Sequence, residues 1–538
     1  MAGGYRSPWA LGWRREAFRK LDEPWDIIVI GGGITGSGIL AVAARSGLRA
    51  LLIEKNDFSS GTSSRSSKLV HGGLRYLKHM QIKLTRESVQ ERQYLLRAAR
   101  GLVKPLGFIY PVYKGDKPSP WVVHLGLGIY ARLAPDAGRS RRLDETDLIF
   151  MAPGLKTENL ERCFYYADAQ TDDARLVLRL LHDALVFSNG RVLALNYCPV
   201  ISLLREGERV SGVRIQDYIS GEQAEARGEI VINATGVWAD ELRDKVGVAR
   251  RLRPLRGSHL FFSFERLPIY QAIAYSHPDD GRPVFVYPWE NVTLAGTTDV
   301  DHSLPLDREP SISVEEADYL LRAVQSVFPE LELDKGDVIS TQAGVRPVIS
   351  SGKKNPSEES REHAVWLESG LLTVTGGKLT TFRPIAIDVL REASKINKKI
   401  PVPEEDVDLF KETEPDIFAR QLGFSEAQRL CGRYGEAAEE IITSAPELLT
   451  EIDGTPYLWA ELVWSAKNEG VEHLDDLLLR RFRLGILLPD GGAGLLPRLK
   501  PIFQSSLGWG DARWSDEVGR FERIWKTAHA IPEEWRIS

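Results

Sequence analysis

Asp26-Ile27-Ile28-Val29-Ile30-Gly31-Gly32-Gly33-Ile34-Thr35-Gly36-Ser37-Gly38 is the stretch on which the fold turns. A short β-prone run enters a glycine turn, and small residues follow as far as Gly47. This pattern predicts a strand, a tight turn and a helix, with Leu48 to Ile53 as the next strand and Glu54 directly after it. Gly31, Gly33 and Gly36 have the spacing GxGxxG. Such a turn needs positive φ, lets the backbone approach a pyrophosphate, and packs its helix close to the strand, while the helix N-terminus stabilises the anion. Glu54, 23 residues after Gly31, is placed to accept hydrogen bonds from ribose hydroxyls. The unit predicts a bound dinucleotide, NAD or FAD. Ile27 to Ala44 is also an uncharged run of eighteen residues, near the lower limit for a membrane span. Its glycines assign it to the βαβ unit instead.

Working outward, the 538 residues carry a formal net charge of −6, with 43 % apolar and 27 % charged residues. Those values fit a globular protein with a large core and exclude a disordered or coiled-coil chain. The mild acidity argues against a general nucleic-acid binder. Cys163, Cys198 and Cys431 are isolated thiols with no CxxC pair, as expected in a reducing compartment and contrary to a cysteine-built zinc site. Residues 1–20 are basic and lack the apolar core of a signal peptide. Ser7-Pro8 can open a helix in which Trp9, Trp13, Ala17 and Leu21 recur every four residues. That stripe suits either an interfacial membrane anchor or an arm packed on its own domain; the second is favoured.

Helical patterning resumes over 83–99, 172–187 and 313–328, the last with Ser313 and Glu316 as a capping box. Short alternating runs at 261–264, 284–287 and 292–295 predict antiparallel strands. After a linker-like Lys398-Lys399-Ile400-Pro401-Val402-Pro403, periodicity is helical, as over 417–434, 437–444 and 458–468. The expected organisation is an N-terminal extension over 1–25, a body over 26–400 and a helical domain over 401–538. Two further segments bear on the cofactor. Ile232-Asn233-Ala234-Thr235-Gly236 closes a strand with small residues, and Thr375-Gly376-Gly377-Lys378-Leu379-Thr380-Thr381 puts another glycine turn at a helix start. A large bound flavin draws ligands from such separated segments, whereas NAD needs one fingerprint.

The run from Gly61-Thr62-Ser63-Ser64-Arg65-Ser66-Ser67-Lys68-Leu69-Val70-His71-Gly72-Gly73-Leu74-Arg75-Tyr76-Leu77 resembles the signature of FAD-dependent glycerol-3-phosphate dehydrogenases. Phe164-Tyr165-Tyr166-Ala167-Asp168, Arg256-Gly257-Ser258-His259, Gly296-Thr297-Thr298-Asp299, Gly344-Val345-Arg346-Pro347 and Asp475-Asp476-Leu477-Leu478-Leu479-Arg480-Arg481 continue the match in order, over residues 25–490. The resemblance implies a Rossmann-type FAD-binding domain with an interleaved antiparallel-sheet substrate domain (amine-oxidase-like), followed by an all-helical C-terminal domain. It implies oxidation of sn-glycerol 3-phosphate to dihydroxyacetone phosphate, with electrons passing to a membrane quinone. The body has no large insertion relative to that pattern, which favours the dehydrogenase over an oxygen-using oxidase. A soluble NAD-linked dehydrogenase and a non-catalytic flavoprotein are the rival classes. A peripheral position on the inner face of the cell membrane is implied, with a homodimer as the open assembly state.

On the same basis FAD is held non-covalently by Gly31, Gly33, Thr35, Gly36, Glu54, Lys55, Thr62, Ser63, Ser64, Ser67, Lys68, Leu69, Gly72, Gly73, Val200, Ala234, Thr235, Gly236, Trp238, Gly377, Lys378, Leu379 and Thr380. A phosphorylated polyol needs cations for its dianion, and Arg75, Arg346, Arg361 and Lys378 match the family's positions, with Tyr76 adding a hydrogen bond. Arg361 lies in a charged run that equally suits a solvated surface. Removing a hydroxyl proton calls for a base with a near-neutral pKa; His259 and His71 are the candidates, and His259 is preferred because it follows a Gly-Ser turn. Arg346 beside the hydroxyl would stabilise the alkoxide. Asp168, Asp172 and Asp173 are read as serving a helix N-terminus rather than a metal, and no metal is expected. Asn291-Val292-Thr293 matches a glycosylation acceptor that a reducing compartment would leave unused.

Overall fold

The computed structural model describes residues 7–74, 82–133, 140–353, 359 and 362–537. Trp25–Ile30 lies inside a sheet whose order is His363–Glu368, Leu371–Gly376, Gln223–Asn233, Trp25–Ile30, Ala50–Ile53, Val192–Leu195. Every neighbouring pair in that order is parallel except the outermost hairpin. Parallel sheets are covered on both faces, and all of Ala50–Ile53 is buried. Ile34–Arg45, Asp173–Ser188 and Phe382–Ile396 cover one face together. The small-residue run explains their close approach: a Cβ on Gly38 would sit 2.8 Å from Cδ2 of Phe382.

A second sheet of ten strands is antiparallel apart from one parallel pair, Ala272–Ser276 with Val103–Tyr113. Its longest ladders join Val103–Tyr113 to Leu160–Thr171 and Leu252–Ser263 to Val338–Ile349. These strands come from the chain between Ile53 and Val192 and between Asn233 and His363, so the two sheets are interleaved, as the motif order implies. The capping box at Ser313 and Glu316 forms as expected, starting Val314–Val327.

Helices occupy most of the chain beyond residue 401. The single helix expected over 417–434 is two, Asp416–Leu422 and Phe424–Tyr434, because Gly423 takes φ +79° between them. At the N-terminus the regular helix is only Trp13–Phe18, and Ser7 instead donates to the Asn468 carbonyl at 2.6 Å. Trp9 is 2 % exposed, packs against Phe58 with ring centroids 5.3 Å apart, and shares its core with the parallel sheet. Ala17 and Leu21 are buried too and Trp13 is half-buried, so the tryptophan stripe packs on its own domain. Pro120–Leu133, a helix the sequence reading did not anticipate, lies against Leu160–Thr171. No helix among the described residues is long and apolar enough to cross a membrane.

Candidate active site

A cavity of about 1510 Å³ is lined from both sheets, larger than the roughly 300–1,000 Å³ of an ordinary ligand pocket. From the parallel sheet and its loops come Gly31, Gly33, Thr35, Glu54, Lys55, Thr62, Ser63, Val200, Ala234, Thr235, Gly236, Trp238, Gly377, Lys378, Leu379 and Thr380. Ser67, Leu69, His71, Gly73, Tyr166, Asp168, Asp299 and Arg346 complete the wall from the antiparallel side.

The glycine turn is built for close approach. A Cβ on Gly31, where φ is +115°, would fall 2.5 Å from the Ala234 carbonyl oxygen, and one on Gly36 would fall 1.9 Å from the Gly31 oxygen. Ser63 Oγ accepts the Ile34 amide at 2.9 Å, tying the serine-rich loop to the helix start. Glu54 accepts from the Gly32 and Asn56 amides at 2.7 and 2.8 Å. Burial raises its pKa even so, against the opposing pull of those amides. Trp238, on the wall, has a buried Nε1 with no hydrogen-bond partner among the described residues, and Lys55 Nζ lies 4.1 Å from its ring centroid. Glycine cradle, cavity-lining carboxylate and orphaned donor together fit an adenine dinucleotide.

Four of the proposed cofactor residues lie off the wall. Gly36 packs the turn from behind. Ser64 gives its carbonyl to Lys68 and Arg483 at 3.3 and 3.2 Å. The Lys68 ammonium is wholly buried and bonds Asp173 and Gln342 at 3.4 and 3.0 Å; burial foremost lowers its pKa to about 8, with Asp173 opposing. Gly72 donates its amide to Asp168 Oδ1 at 2.8 Å and has Tyr130 where a Cβ would stand.

The two histidines part company. His259 is 1 % exposed, sits on Leu252–Ser263 opposite Gly296, and is absent from the wall. Its Nε2 is 2.9 Å from Ser67 Oγ. Burial, then Lys68 and Arg346, hold its pKa well below the ordinary histidine value. His71 lines the cavity with its side chain 35 % exposed and Nδ1 3.7 Å from Asp168 Oδ2. Asp168 also takes Arg92 Nη1 at 2.9 Å and Tyr130 OH at 3.3 Å. Burial opposes its ionisation, yet His71 and Arg92 keep its pKa below the usual carboxylate value.

The aspartate cluster therefore divides. Asp172 caps Asp173–Ser188 by accepting the Arg175 amide at 3.2 Å. Asp173 takes the Ser66 amide at 2.9 Å and its hydroxyl at 2.7 Å. Asp168 serves no helix: it lies on Leu160–Thr171 at the cavity, a site residue that composition alone did not mark.

Arg346, on Val338–Ile349, pairs with Asp299 at 2.8 Å and donates to Thr297 Oγ1 at 3.1 Å. Gly257 makes room for it, since a Cβ there would lie 2.2 Å from Arg346 Nη2. Lys378 follows Gly376 and Gly377, with φ +82° and +73°, and reaches Ser88 Oγ at 3.3 Å. Arg346 and Lys378 both line the cavity that His71 lines. Arg75, Tyr76 and Arg361 lie outside the described residues.

Residues 26–383 match the family model of FAD dependent oxidoreductases, and residues 405–514 match the C-terminal domain of alpha-glycerophosphate oxidase. The chain is 34 % identical over 533 residues to glycerol-3-phosphate dehydrogenase 2 of Mycobacterium tuberculosis H37Rv, covering 95 % of this chain and 89 % of that one. It is 34 % identical over 497 residues to the aerobic glycerol-3-phosphate dehydrogenase of Staphylococcus haemolyticus, covering 87 % and 88 %. The crystal structure of the Bacillus halodurans glycerol-3-phosphate dehydrogenase complexed with FAD superposes with a TM-score of 0.77 at 26 % identity, covering 97 % of this chain and 98 % of that one. The chain belongs to the FAD-dependent oxidoreductase family, alongside the glycerol-3-phosphate dehydrogenases.

Proposed function

We propose that the protein oxidises sn-glycerol 3-phosphate to dihydroxyacetone phosphate and passes the electrons to a membrane quinone. The observation that carries this reading is one continuous wall joining the dinucleotide cradle to Arg346, Lys378 and His71. The cradle residues would hold FAD, which when bound would supply the acceptor for the carbinol hydride. The chain's own residues bind the substrate, take a proton and shield the site. Arg346 and Lys378 attract the phosphate dianion, Arg346 through a planar fork that Asp299 and Thr297 hold in place.

His71 is the proposed base, reversing the preference drawn from sequence. Its ring reaches the cavity, and Asp168 beside Nδ1 stabilises the imidazolium that forms when the substrate hydroxyl gives up its proton. His259 then has a supporting part: it holds Ser67, which is on the wall. The proposed organisation keeps residues 26–400 as the catalytic body and 401–538 as a helical domain, supported by family matches that end at 383 and resume at 405. The location is the inner face of the cell membrane, and the three cysteines suit a reducing compartment. All three are buried and free, with burial foremost pushing Cys163 and Cys198 up to about 12 and Cys431 to about 11.

The test is anaerobic mixing of purified holoprotein with glycerol 3-phosphate while flavin absorbance is followed. Bleaching is expected, and His71→Gln should slow it about 10²–10⁴-fold while His259→Gln slows it far less. A larger loss from His259→Gln than from His71→Gln would return the base to His259. Stoichiometric peroxide in air without added acceptor would replace the quinone with oxygen.

A further inference from the structure

Pro120–Leu133 buries Val123, Leu127 and Tyr130 against the protein. Its outer face is apolar as well: Trp121 is 71 % exposed, and Val122, Leu125 and Ile129 are also exposed. From Pro118 to Ala131 there is no Asp, Glu, Lys or Arg. A helix facing water carries polar groups on its outer side, and a contiguous exposed apolar face marks a surface that another apolar body covers. Val122, Leu125 and Ile129 also line the active-site cavity, so the cavity opens beside this face.

Charge selects the occupant. Residues 114–142 hold six Lys or Arg against two Asp, in a chain whose net charge is −6. Lys114, Lys117, Arg132, Arg141 and Arg142 are exposed, although Arg141 also pairs with Asp147 at 3.5 Å. The basic strand adjoins the helix, because Arg142 stands opposite Phe164, whose ring lies 5.9 Å from that of His124. A like-charged second copy would be repelled here, whereas an anionic lipid surface would be attracted. Fourteen helical residues reach only about 21 Å, too short for a hydrocarbon core of about 30 Å. The helix must therefore lie along the surface.

We propose that the outer face of Pro120–Leu133 docks on an anionic bilayer, with Trp121 at the headgroup level and the cavity mouth turned toward the lipid. The inference rests on the reading above that the second electron acceptor is dissolved in the membrane. It locates where that membrane would sit.

The full-length holoprotein is sedimented with phosphatidylcholine vesicles containing phosphatidylglycerol, and with vesicles of phosphatidylcholine alone. Binding to the mixed vesicles and much weaker binding to the neutral ones are expected. Trp121→Ser should weaken binding roughly tenfold, and Arg132→Gln with Arg142→Gln together by roughly 25-fold, about fivefold per charge. None of these three residues lines the cavity, so turnover with a soluble dye should stay at the wild-type rate and confirm that the variants fold. Unchanged binding of Trp121→Ser, or equal binding to neutral vesicles, would overturn the proposal. So would sedimentation velocity showing a dimer that Trp121→Ser dissociates. If docking behaves as expected but quinone placed in the vesicles is not reduced, the acceptor reading falls and the docking surface stands.

Discussion

Replacing Gly36 by alanine tests whether the glycine turn is a cofactor cradle or only a tight turn. The added Cβ would lie 1.9 Å from the Gly31 carbonyl oxygen, with Gly31 C at 3.1 Å and Val29 Cγ1 at 3.3 Å. Ordinary contact begins near 3.4 Å, so strand end and helix must separate by about 1.5 Å. The obstructing atom is backbone, so no side chain can swing away. Overpacking of this kind costs about 1–3 kcal/mol in stability, and the upper end applies. The effect on FAD should be larger. A shift above 1 Å removes amides of the turn and helix start from hydrogen-bonding range of a pyrophosphate. Each such charge-assisted bond contributes about 1.5–3 kcal/mol, and losing two weakens binding by about 10²–10⁴-fold. Fluorescence titration of apoprotein with FAD reads that change, and thermal unfolding of the apoprotein reads the stability cost separately. Gly510→Ala is the control, since its Cβ would meet nothing within 4 Å. A Gly36→Ala protein that binds FAD within threefold of wild type would refute the assignment of this turn to the pyrophosphate.

Asp168→Asn should lower turnover by at least about tenfold and destabilise the fold by about 3–5 kcal/mol, because Arg92 loses its buried counter-charge. In a His71→Gln background the same change should cost almost nothing further in rate, which a double-mutant cycle measures. Asp57→Asn should destabilise the holoprotein by a similar amount, about 3–5 kcal/mol in denaturant unfolding, since the buried Arg481 loses its counter-charge and Arg480 loses one of its own. Acid should weaken the fold through His259 and His529. Burial, foremost, holds both neutral in the native state, His259 well below the ordinary value of 6.5 and His529 at about 3. Below about pH 6.5 the unfolded chain binds protons that the native chain does not, so stability falls as pH falls, by up to about 1.4 kcal/mol per pH unit per histidine. His529→Gln should flatten the profile between pH 6.5 and 4; an unchanged slope would show that His529 is not held neutral.

The βαβ unit was readable because its causes are local: a β-prone run, a turn that only glycine satisfies, and a small-residue helix. The capping box at Ser313 and Glu316 is legible for the same reason. The pairing of His71 with Asp168 is not local. Leu69–Val70 pairs antiparallel with Gln170 and Ala169, and continuing that register by one residue sets His71 opposite Asp168. Nothing within either segment announces the partner. The burial of His259 is illegible for a related reason: a Gly-Ser turn suggests access, but the neighbouring strands enclose the ring, with Gly296 leaving room for it. Periodicity in Trp9, Trp13, Ala17 and Leu21 marked one face correctly and could not say what covers it. The outer face of Pro120–Leu133 is the opposite case, an apolar run whose exposure only the packed structure reveals.

The motif Asp475-Asp476-Leu477-Leu478-Leu479-Arg480-Arg481 carried the resemblance into the C-terminal helices without disclosing a task. In the structure Arg481 Nη2 meets Asp57 Oδ1 at 2.9 Å, and Arg480 bridges Asp57 and Asp475. Asp57 is 0 % exposed, and burial alone would raise its pKa. The two guanidiniums reverse that and keep it ionised. Asp57 stands three residues beyond Glu54, in the loop whose Ser59 amide bonds the Gly32 carbonyl at 3.0 Å. A short chain of bonds therefore runs from the helical domain to the glycine turn. Ion pairs buried this deeply contribute little net stability over apolar residues of the same shape, so stability does not explain them. Geometry does: two fixed forks on one carboxylate hold the loop at a single distance from the C-terminal helices, and the loop holds Glu54 and Gly32. If that link positions the cradle, Asp57→Asn should loosen FAD more than its cost to stability requires, with no contact to the cofactor of its own.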